Sequence, residues 1–197
     1  MSEPGPRVIT RLDQALPLSG SAWQGGGLQA AVLVALTTEA EPRVMLGRRN
    51  RQLRLHPGEI AFPGGKREAE DGTPWATARR EAEEEVGLVE AQVRPLGELQ
   101  ALFTRTGYEV RPCIAAIPVE HRLRVDSREF DHVFLESLSL FADGRRFRVE
   151  THYHQGRERR VPHYALEEDT VWGVTAAILA QLANVAYDAG LDLERGR

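Results

Sequence analysis

Apolar residues along the chain fall into short runs of strand length. Residues 28–37 are almost continuously apolar, as expected of a strand that is covered on both faces. Residues 43–48 follow across a polar turn and predict its antiparallel neighbour. Turn residues separate four further runs that predict strands, at residues 93–104, 110–118, 130–135 and 147–154.

Two longer segments predict helices. The first spans residues 74–86, with Thr73 as the N-cap, Pro74 at the first helical position and Gly87 as the C-terminal stop. The second spans residues 171–189, where Gln, Asn and Asp interrupt the apolar run and argue against a membrane span. We predict an α/β fold in which a mixed sheet carries helices on both faces.

The segment before residue 28 lacks any sustained period, since Pro, Gly, Ser and isolated apolar residues follow one another there. We therefore predict a loosely docked N-terminal arm at residues 1–27 and one domain at residues 28–197. A length of 197 residues with 42% hydrophobic content is enough for a single core.

Composition restricts the partners of the protein. The formal net charge is -4 and the pI about 5.9, so no overall positive field exists to bind nucleic acid or an anionic membrane. Cys113 is the single cysteine, which excludes an intrachain disulfide and suits a reducing compartment. The ends of the chain resemble no secretory or targeting signal, and we expect a cytoplasmic protein.

The first predicted helix has three distinct faces. Ala78, Ala82 and Val86 recur at four-residue steps and form its buried stripe. Arg79 and Glu83 are predicted to pair on the solvent side. The third face carries carboxylates, and these residues define the candidate chemistry.

Three glutamates, Glu81, Glu84 and Glu85, stand at i, i+3 and i+4 and therefore lie side by side on this third face. They repel one another, and the helix macrodipole disfavours negative charge in the C-terminal half of a helix. A cluster of oxygen donors without His or Cys suits Mg²⁺ or Mn²⁺. The alternative is a solvated acidic face that Arg79 and Arg80 partly balance.

A glycine-rich turn precedes this helix. Residues 62–65 read Phe-Pro-Gly-Gly, a tight turn in which Gly64 and Gly65 let the backbone approach a ligand or metal closely. Residues 65–88 then follow a pattern of glycine, an acidic residue, Arg-Glu, a hydrophobe, any residue, Glu-Glu, any residue, glycine and a hydrophobe, which resembles the Nudix box. The chain departs from this pattern in having Asp71 as the upstream acid and one extra residue before the Arg-Glu pair.

This resemblance implies a Nudix α/β/α sandwich that hydrolyses a diphosphate linkage. In that family the box glutamates hold divalent metals, which bridge the diphosphate while water attacks one phosphorus. Glu81 and Glu85 would be the first-choice ligands of Mg²⁺ or Mn²⁺, and Glu84 would share the metal site. Arg80 would orient Glu84 through an i, i+4 pair, in preference to reaching a phosphate itself.

The stretch upstream of the box, residues 46–65, resembles the signature of the coenzyme A diphosphatases. Gly47 and Asn50 depart from that signature, which has Thr and Ser at these positions. The resemblance implies that coenzyme A or a thioester is cleaved to 3′-phosphoadenosine 5′-phosphate and 4′-phosphopantetheine or its acyl form. The matching positions are Arg49, Leu53, Arg54, His56 and Gly58.

Arg48, Arg49, Arg51 and Arg54 form a basic cluster before the box, suited to a substrate with several phosphates, although a solvated basic loop has the same composition. Arg49 and Arg54 are the candidate partners of a 3′-phosphate, and the glycine of the signature would complete the substrate site. Glu129 stands where the subfamily carries an acid before a strand, and would reach the metal site as a further ligand or base.

Two other functions remain open from the sequence. The departures at Gly47 and Asn50 leave room for another nucleoside diphosphate derivative, such as ADP-ribose or a dinucleotide. A catalytically silent Nudix-like module that binds a nucleotide and regulates a partner is the second, and three mutually repelling carboxylates argue against it. Either a monomer or a homodimer is compatible with the sequence.

The histidines near the C-terminus predict no metal site. His152, His154 and His163 flank a basic strand, and their spacing does not resemble a compact zinc site, so we expect surface or core histidines. Trp172 is expected in the core, because an aromatic residue in an apolar helix is more often packed than stacked on an adenine.

Overall fold

The computed structural model describes residues 7–18, 20, 22–154 and 157–193. No helix within these ranges is long and apolar enough to cross a membrane. The elements in these ranges are, in chain order, α1 (Arg7–Ala15), β1 (Gln29–Thr37), β2 (Arg43–Arg49), β3 (Ile60–Ala61), β4 (Gly64–Lys66), α2 (Pro74–Val86), β5 (Arg94–Glu98), β6 (Leu102–Phe103), β7 (Glu109–Ile117), β8 (Phe130–Ser137), β9 (Phe147–His154), β10 (Arg157–Ala165), β11 (Thr170–Trp172) and α3 (Gly173–Tyr187).

The main sheet is mixed, as predicted. Its centre is the parallel pair β1 and β7, in which Leu33 lies opposite Cys113. β5 and β6 extend the sheet antiparallel to β7. On the other edge of β1, the antiparallel partners are β4 and β2, and β2 in turn pairs with β3 and β8.

Helices cover both faces of this sheet, which confirms the α/β/α sandwich. Alternate residues of β1 point to opposite sides. Leu33 belongs to the core beneath α2, whereas Val34 belongs to the core beneath α1 and α3. Burial on both faces explains why residues 28–37 read as an almost continuous apolar run.

The prediction of α2 is confirmed at both ends. The Thr73 hydroxyl accepts the Ala76 N–H at 3.1 Å and caps the helix. Gly87 adopts a left-handed φ of 72° and closes the C-terminus through its N–H. The expected ion pair on the solvent side is wrong, because Arg79 reaches past Glu83 to Glu90.

The N-terminal segment is not a loosely docked arm over its described residues. It forms α1, and Ile9 and Leu12 are buried in the core shared with α3. Leu16 and Trp23 are buried as well. The prediction missed this helix because the apolar spacing at residues 9, 12 and 16 is short and is surrounded by Pro and Gly.

Within the described residues, β9, β10 and β11 form a second, three-stranded sheet. The predicted strand at residues 147–154 is confirmed as β9, but β10, β11 and their separate sheet were not predicted. Tyr164 fixes one face of it to the core, where its hydroxyl donates to the Phe141 carbonyl at 2.8 Å. Val171 belongs to β11, so α3 begins at Gly173 and not at the predicted residue. Trp172 is 43% exposed on the outer side, and the expectation that it lies in the core is wrong.

Candidate active site

The two glycines of the Phe-Pro-Gly-Gly turn bring the backbone of β4 against the glutamates of α2. The Gly64 N–H donates to Glu85 Oε2 at 2.9 Å. A Cβ atom at Gly64 would lie 2.7 Å from the Cα atom of Val32, and a Cβ atom at Gly65 would collide with the Glu81 carboxylate. Backbone contacts therefore require glycine at position 64, whereas a side chain at position 65 would displace the Glu81 carboxylate.

Glu85 is a buried carboxylate, with 6% of its surface exposed. Burial, and after it the charges of Glu81 and Glu129, raise its pKa to about 8. The Gly64 N–H and Arg49 oppose this rise without cancelling it. Burial also raises the pKa of Glu81. A carboxylate pair in this state is stabilised by a cation.

Asp71 and Arg80 form the scaffold behind these carboxylates. Asp71 is 5% exposed and accepts hydrogen bonds from the Thr77 hydroxyl at 2.9 Å and Arg80 Nη2 at 3.0 Å. Its burial would raise its pKa, but the hydrogen bonds outweigh burial and the pKa is lowered. Held in this way, Arg80 Nη1 lies 3.0 Å from Glu81 Oε1 and 3.4 Å from Glu84 Oε2.

An open cleft of about 640 Å³ lies over this face of α2. Of the residues predicted from the sequence, Arg54, Gly58 and Arg80 do not line it, and Arg80 reaches the site through Glu81 and Glu84. Gly58 instead shapes the preceding turn, with φ of 73° and an N–H that donates to the Arg49 carbonyl at 3.0 Å. The cleft is lined by Arg49, Gly64, Gly65, Glu81, Glu84, Glu85, Asp126, Arg128 and Glu129.

Arg49 and Glu129 form the wall of the cleft opposite α2. Arg49 Nη2 lies 3.6 Å from Glu129 Oε2, and the Asn50 N–H donates to the Glu129 carbonyl at 2.8 Å. Among the residues that the structure describes, buried Arg49 Nε has no hydrogen-bond partner. A guanidinium in this position can donate to an anion in the cleft.

Asp126 and Arg128 were not nominated from the sequence. The Asp126 N–H donates to the Glu85 carbonyl at 2.8 Å, which fastens this loop to the end of α2. The hydrogen bond from Arg128 Nη2 at 2.6 Å holds the pKa of Asp126 at about 2. The available sequence signal was the charged Asp-Ser-Arg-Glu run immediately before a predicted strand.

The model of the NUDIX domain matches residues 27–168. The chain belongs to the Nudix family. Nudix hydrolase NudL of Photorhabdus laumondii, described as uncharacterized, is 33% identical over 175 residues, which cover 89% of this chain and 94% of that protein. NudL of Escherichia coli K12, also described as uncharacterized, is 36% identical over 155 residues, or 79% of this chain and 81% of that protein.

Solved structures agree with the Nudix fold. The crystal structure of DR0079 from Deinococcus radiodurans is 14% identical, with a TM-score of 0.52, and the match covers 85% of this chain and 86% of that one. A Nudix hydrolase from Alicyclobacillus acidocaldarius is 16% identical, with a TM-score of 0.50, covering 88% and 98%. The Nudix family is one of hydrolases that act on pyrophosphate bonds with divalent metal ions.

The donor set of the cleft fits such a metal. Glu81 and Glu85 offer oxygen ligands, Glu84 stands beside them at 61% side-chain exposure, and Glu129 faces them from the opposite wall. Within the described ranges, the cleft carboxylates do not form a group whose ligand atoms all lie within 4.8 Å of one another. Mg²⁺ tolerates this spread, because it usually keeps several waters and binds to one or two carboxylates plus substrate oxygens.

Proposed function

We propose that this Nudix protein hydrolyses the diphosphate of coenzyme A or its thioesters, with Mg²⁺ or Mn²⁺ held by Glu81, Glu84 and Glu85. The products would be 3′-phosphoadenosine 5′-phosphate and 4′-phosphopantetheine or its acyl form. The observation that carries the hydrolase assignment is the buried Glu85 carboxylate, whose pKa is raised to about 8 beside the half-buried carboxylate of Glu81. Neither packing nor helix energetics accounts for that arrangement.

The side chains in and beside the cleft have different roles in the reaction. When bound, the metal ion supplies charge neutralisation at the diphosphate oxygens and orientation for an in-line displacement. Arg80 keeps Glu81 and Glu84 aligned, since it is itself fixed by Asp71. Arg49 donates to a diphosphate oxygen from the opposite wall.

Glu129 is the proposed proton acceptor, or a further metal ligand, because its carboxylate lines the cleft. Arg49 Nη2 lies 3.6 Å from Glu129 Oε2, which is too far for a close hydrogen bond, so this carboxylate can still accept a proton. The oxygen of water forms a bond to one phosphorus, and the bond from that phosphorus to the bridging oxygen breaks. The water proton passes to Glu129, and the bridging oxygen leaves with the other phosphate.

Coenzyme A is proposed from the signature upstream of the box. Arg48 is engaged in an ion pair with Asp169, so it is a poor candidate for a substrate phosphate. Arg54 is exposed, outside the cleft lining, and stays available for the 3′-phosphate that distinguishes coenzyme A from ADP-ribose. Arg49, at the cleft, is assigned to the diphosphate.

The two departures from the coenzyme A signature have structural roles. A Cβ atom at Gly47 would lie within 2.9 Å of the Phe130 ring, so glycine there permits core packing. The Asn50 side chain bonds to the Ser127 carbonyl and accepts the Gln52 N–H at 2.7 Å, which fixes the loop. These roles weaken the case that the departures signal a different substrate.

A substrate panel tests the proposal. Coenzyme A, 3′-dephospho-coenzyme A, ADP-ribose, diadenosine polyphosphates and nucleoside triphosphates would each be incubated with Mg²⁺ and with Mn²⁺. We expect the highest kcat/KM for coenzyme A or a thioester. Preference for ADP-ribose or a dinucleotide would reject the coenzyme A assignment and retain the hydrolase, whereas nucleotide binding without turnover of any substrate would favour a regulatory module.

A further inference from the structure

The outer face of the second sheet gathers imidazole, carboxylate and indole groups. Glu150 and His152 alternate along β9, and the register places His163 of β10 opposite Arg148 and opposite Trp172 of β11. The His163 ring stacks between the rings of His152 and Trp172, at centroid distances of 6.3 and 6.4 Å. None of these side chains lines the cleft that contains Glu81, Glu84 and Glu85, referred to below as the glutamate cleft.

The ligand atoms of this cluster have the spacing of a metal site. Glu150 Oε2 lies 3.4 Å from His152 Nε2 and 3.3 Å from His163 Nε2. One ligand atom from each of the three residues lies within 4.8 Å of the others. Bonds of about 2.0–2.1 Å to a tetrahedral zinc ion set neighbouring ligand atoms roughly 3.3–3.5 Å apart. The two Glu–His distances fall in that range.

A second observation concerns His163. Its side chain is 13% exposed, and both ring nitrogens are buried without a hydrogen-bond partner among the described residues. A buried imidazole normally has such a partner. Arg148 Nε donates to the other oxygen of Glu150, Oε1, at 2.8 Å, which turns Oε2 toward the two histidines.

We propose that Glu150, His152 and His163 form a binding site for a Zn²⁺-class divalent ion, separate from the glutamate cleft. Two imidazoles and one carboxylate suit zinc and disfavour Mg²⁺, which selects oxygen ligands. The ion links β9 to β10 across the sheet and leaves a fourth position for water. Its role is to stabilise the second sheet, and it takes no part in the proposed hydrolysis.

To test this site, the full chain would be dialysed to equilibrium against zinc in the presence of excess Mg²⁺, and its zinc content would then be measured. The matched control is His132→Gln, which alters an exposed histidine outside the cluster. We expect wild type, His132→Gln and Glu85→Gln to retain one zinc ion. His163→Gln and His152→Gln should bind zinc at least roughly tenfold more weakly, since even loss of an outer partner of a ligand costs 10–100-fold.

Zinc should also raise the thermal unfolding midpoint of wild type and His132→Gln, but not that of the two cluster variants. His152 has a side chain that is 55% exposed, so its variant keeps the test valid even if His163→Gln fails to fold. Zinc binding of wild-type strength in His152→Gln or in a folded His163→Gln would overturn the proposal. Loss of zinc in Glu85→Gln would overturn it too, by assigning the ion to the cleft.

Discussion

Replacing Glu85 by Gln is the most informative perturbation, because it removes the buried charge and keeps the size of the side chain. The pKa of Glu85 is about 8 in the folded, metal-free protein, against 4.5 for an ordinary glutamate. One pKa unit corresponds to about 1.4 kcal/mol, so ionised Glu85 costs the metal-free fold on the order of 3–5 kcal/mol. The glutamine oxygen can still accept the Gly64 N–H.

The sign of the pH dependence follows from the raised pKa. The folded state holds the Glu85 proton more tightly than the unfolded state, so the destabilisation is absent below about pH 4.5. It grows as the pH rises toward 8 and is complete above that value. Metal-free wild type should therefore lose stability between pH 5 and pH 9 relative to Glu85→Gln, whose residue 85 has no charge to lose.

Urea unfolding in the presence of a chelator, at about pH 6 and pH 9, measures this difference. Glu83→Gln is the matched control, since Glu83 is exposed on the same helix and should follow wild type in both stability and activity. With Mg²⁺ added, Glu85→Gln should lose nearly all turnover. Parallel loss of stability with pH in wild type and Glu85→Gln would refute the argument from burial.

Three further predictions concern the surroundings of Glu85. Gly65→Ala should displace the Glu81 carboxylate and lower kcat in steady-state assays on the order of 100-fold. Gly72→Ala is the control and should leave kcat unchanged, because a Cβ atom at residue 72 would have no other atom within 4 Å. Asp71→Asn should lower the free energy of unfolding by about 1–3 kcal/mol in urea titrations and lower kcat more than it changes KM; wild-type values for both would contradict its scaffold role. Arg54→Ala should lower kcat/KM for coenzyme A roughly tenfold and leave kcat/KM for 3′-dephospho-coenzyme A unchanged, whereas Arg49→Ala should lower kcat/KM for both substrates. The reverse pattern would assign Arg49 to the 3′-phosphate and Arg54 to the diphosphate.

Local signals explain the parts of the fold that the sequence predicts well. The helix α2 is bounded by Thr73 and Gly87, whose capping roles depend only on neighbouring residues. The strand β1 could be predicted because burial on both faces requires an almost continuous apolar run. The second sheet was missed because β10 begins with charged residues and gains its place from pairing with β9.

The same distinction applies to the candidate site. The carboxylates of α2 share a face through helix geometry, so their proximity follows from spacing alone. Asp126 enters the cleft through a backbone hydrogen bond to Glu85, 41 residues earlier in the chain, and no local sequence pattern predicts that contact. The proximity of His152 and His163 likewise depends on strand register, which their separation in the sequence does not reveal.

The most direct test of the proposed function is product analysis of coenzyme A incubated with the full chain and Mg²⁺ or Mn²⁺. We predict equal amounts of 3′-phosphoadenosine 5′-phosphate and 4′-phosphopantetheine, formed by wild type and Glu83→Gln and not formed by Glu85→Gln or in the presence of a chelator. Intact coenzyme A under conditions in which ADP-ribose is cleaved would contradict the substrate assignment. Undiminished cleavage by Glu85→Gln would contradict the metal-dependent site itself.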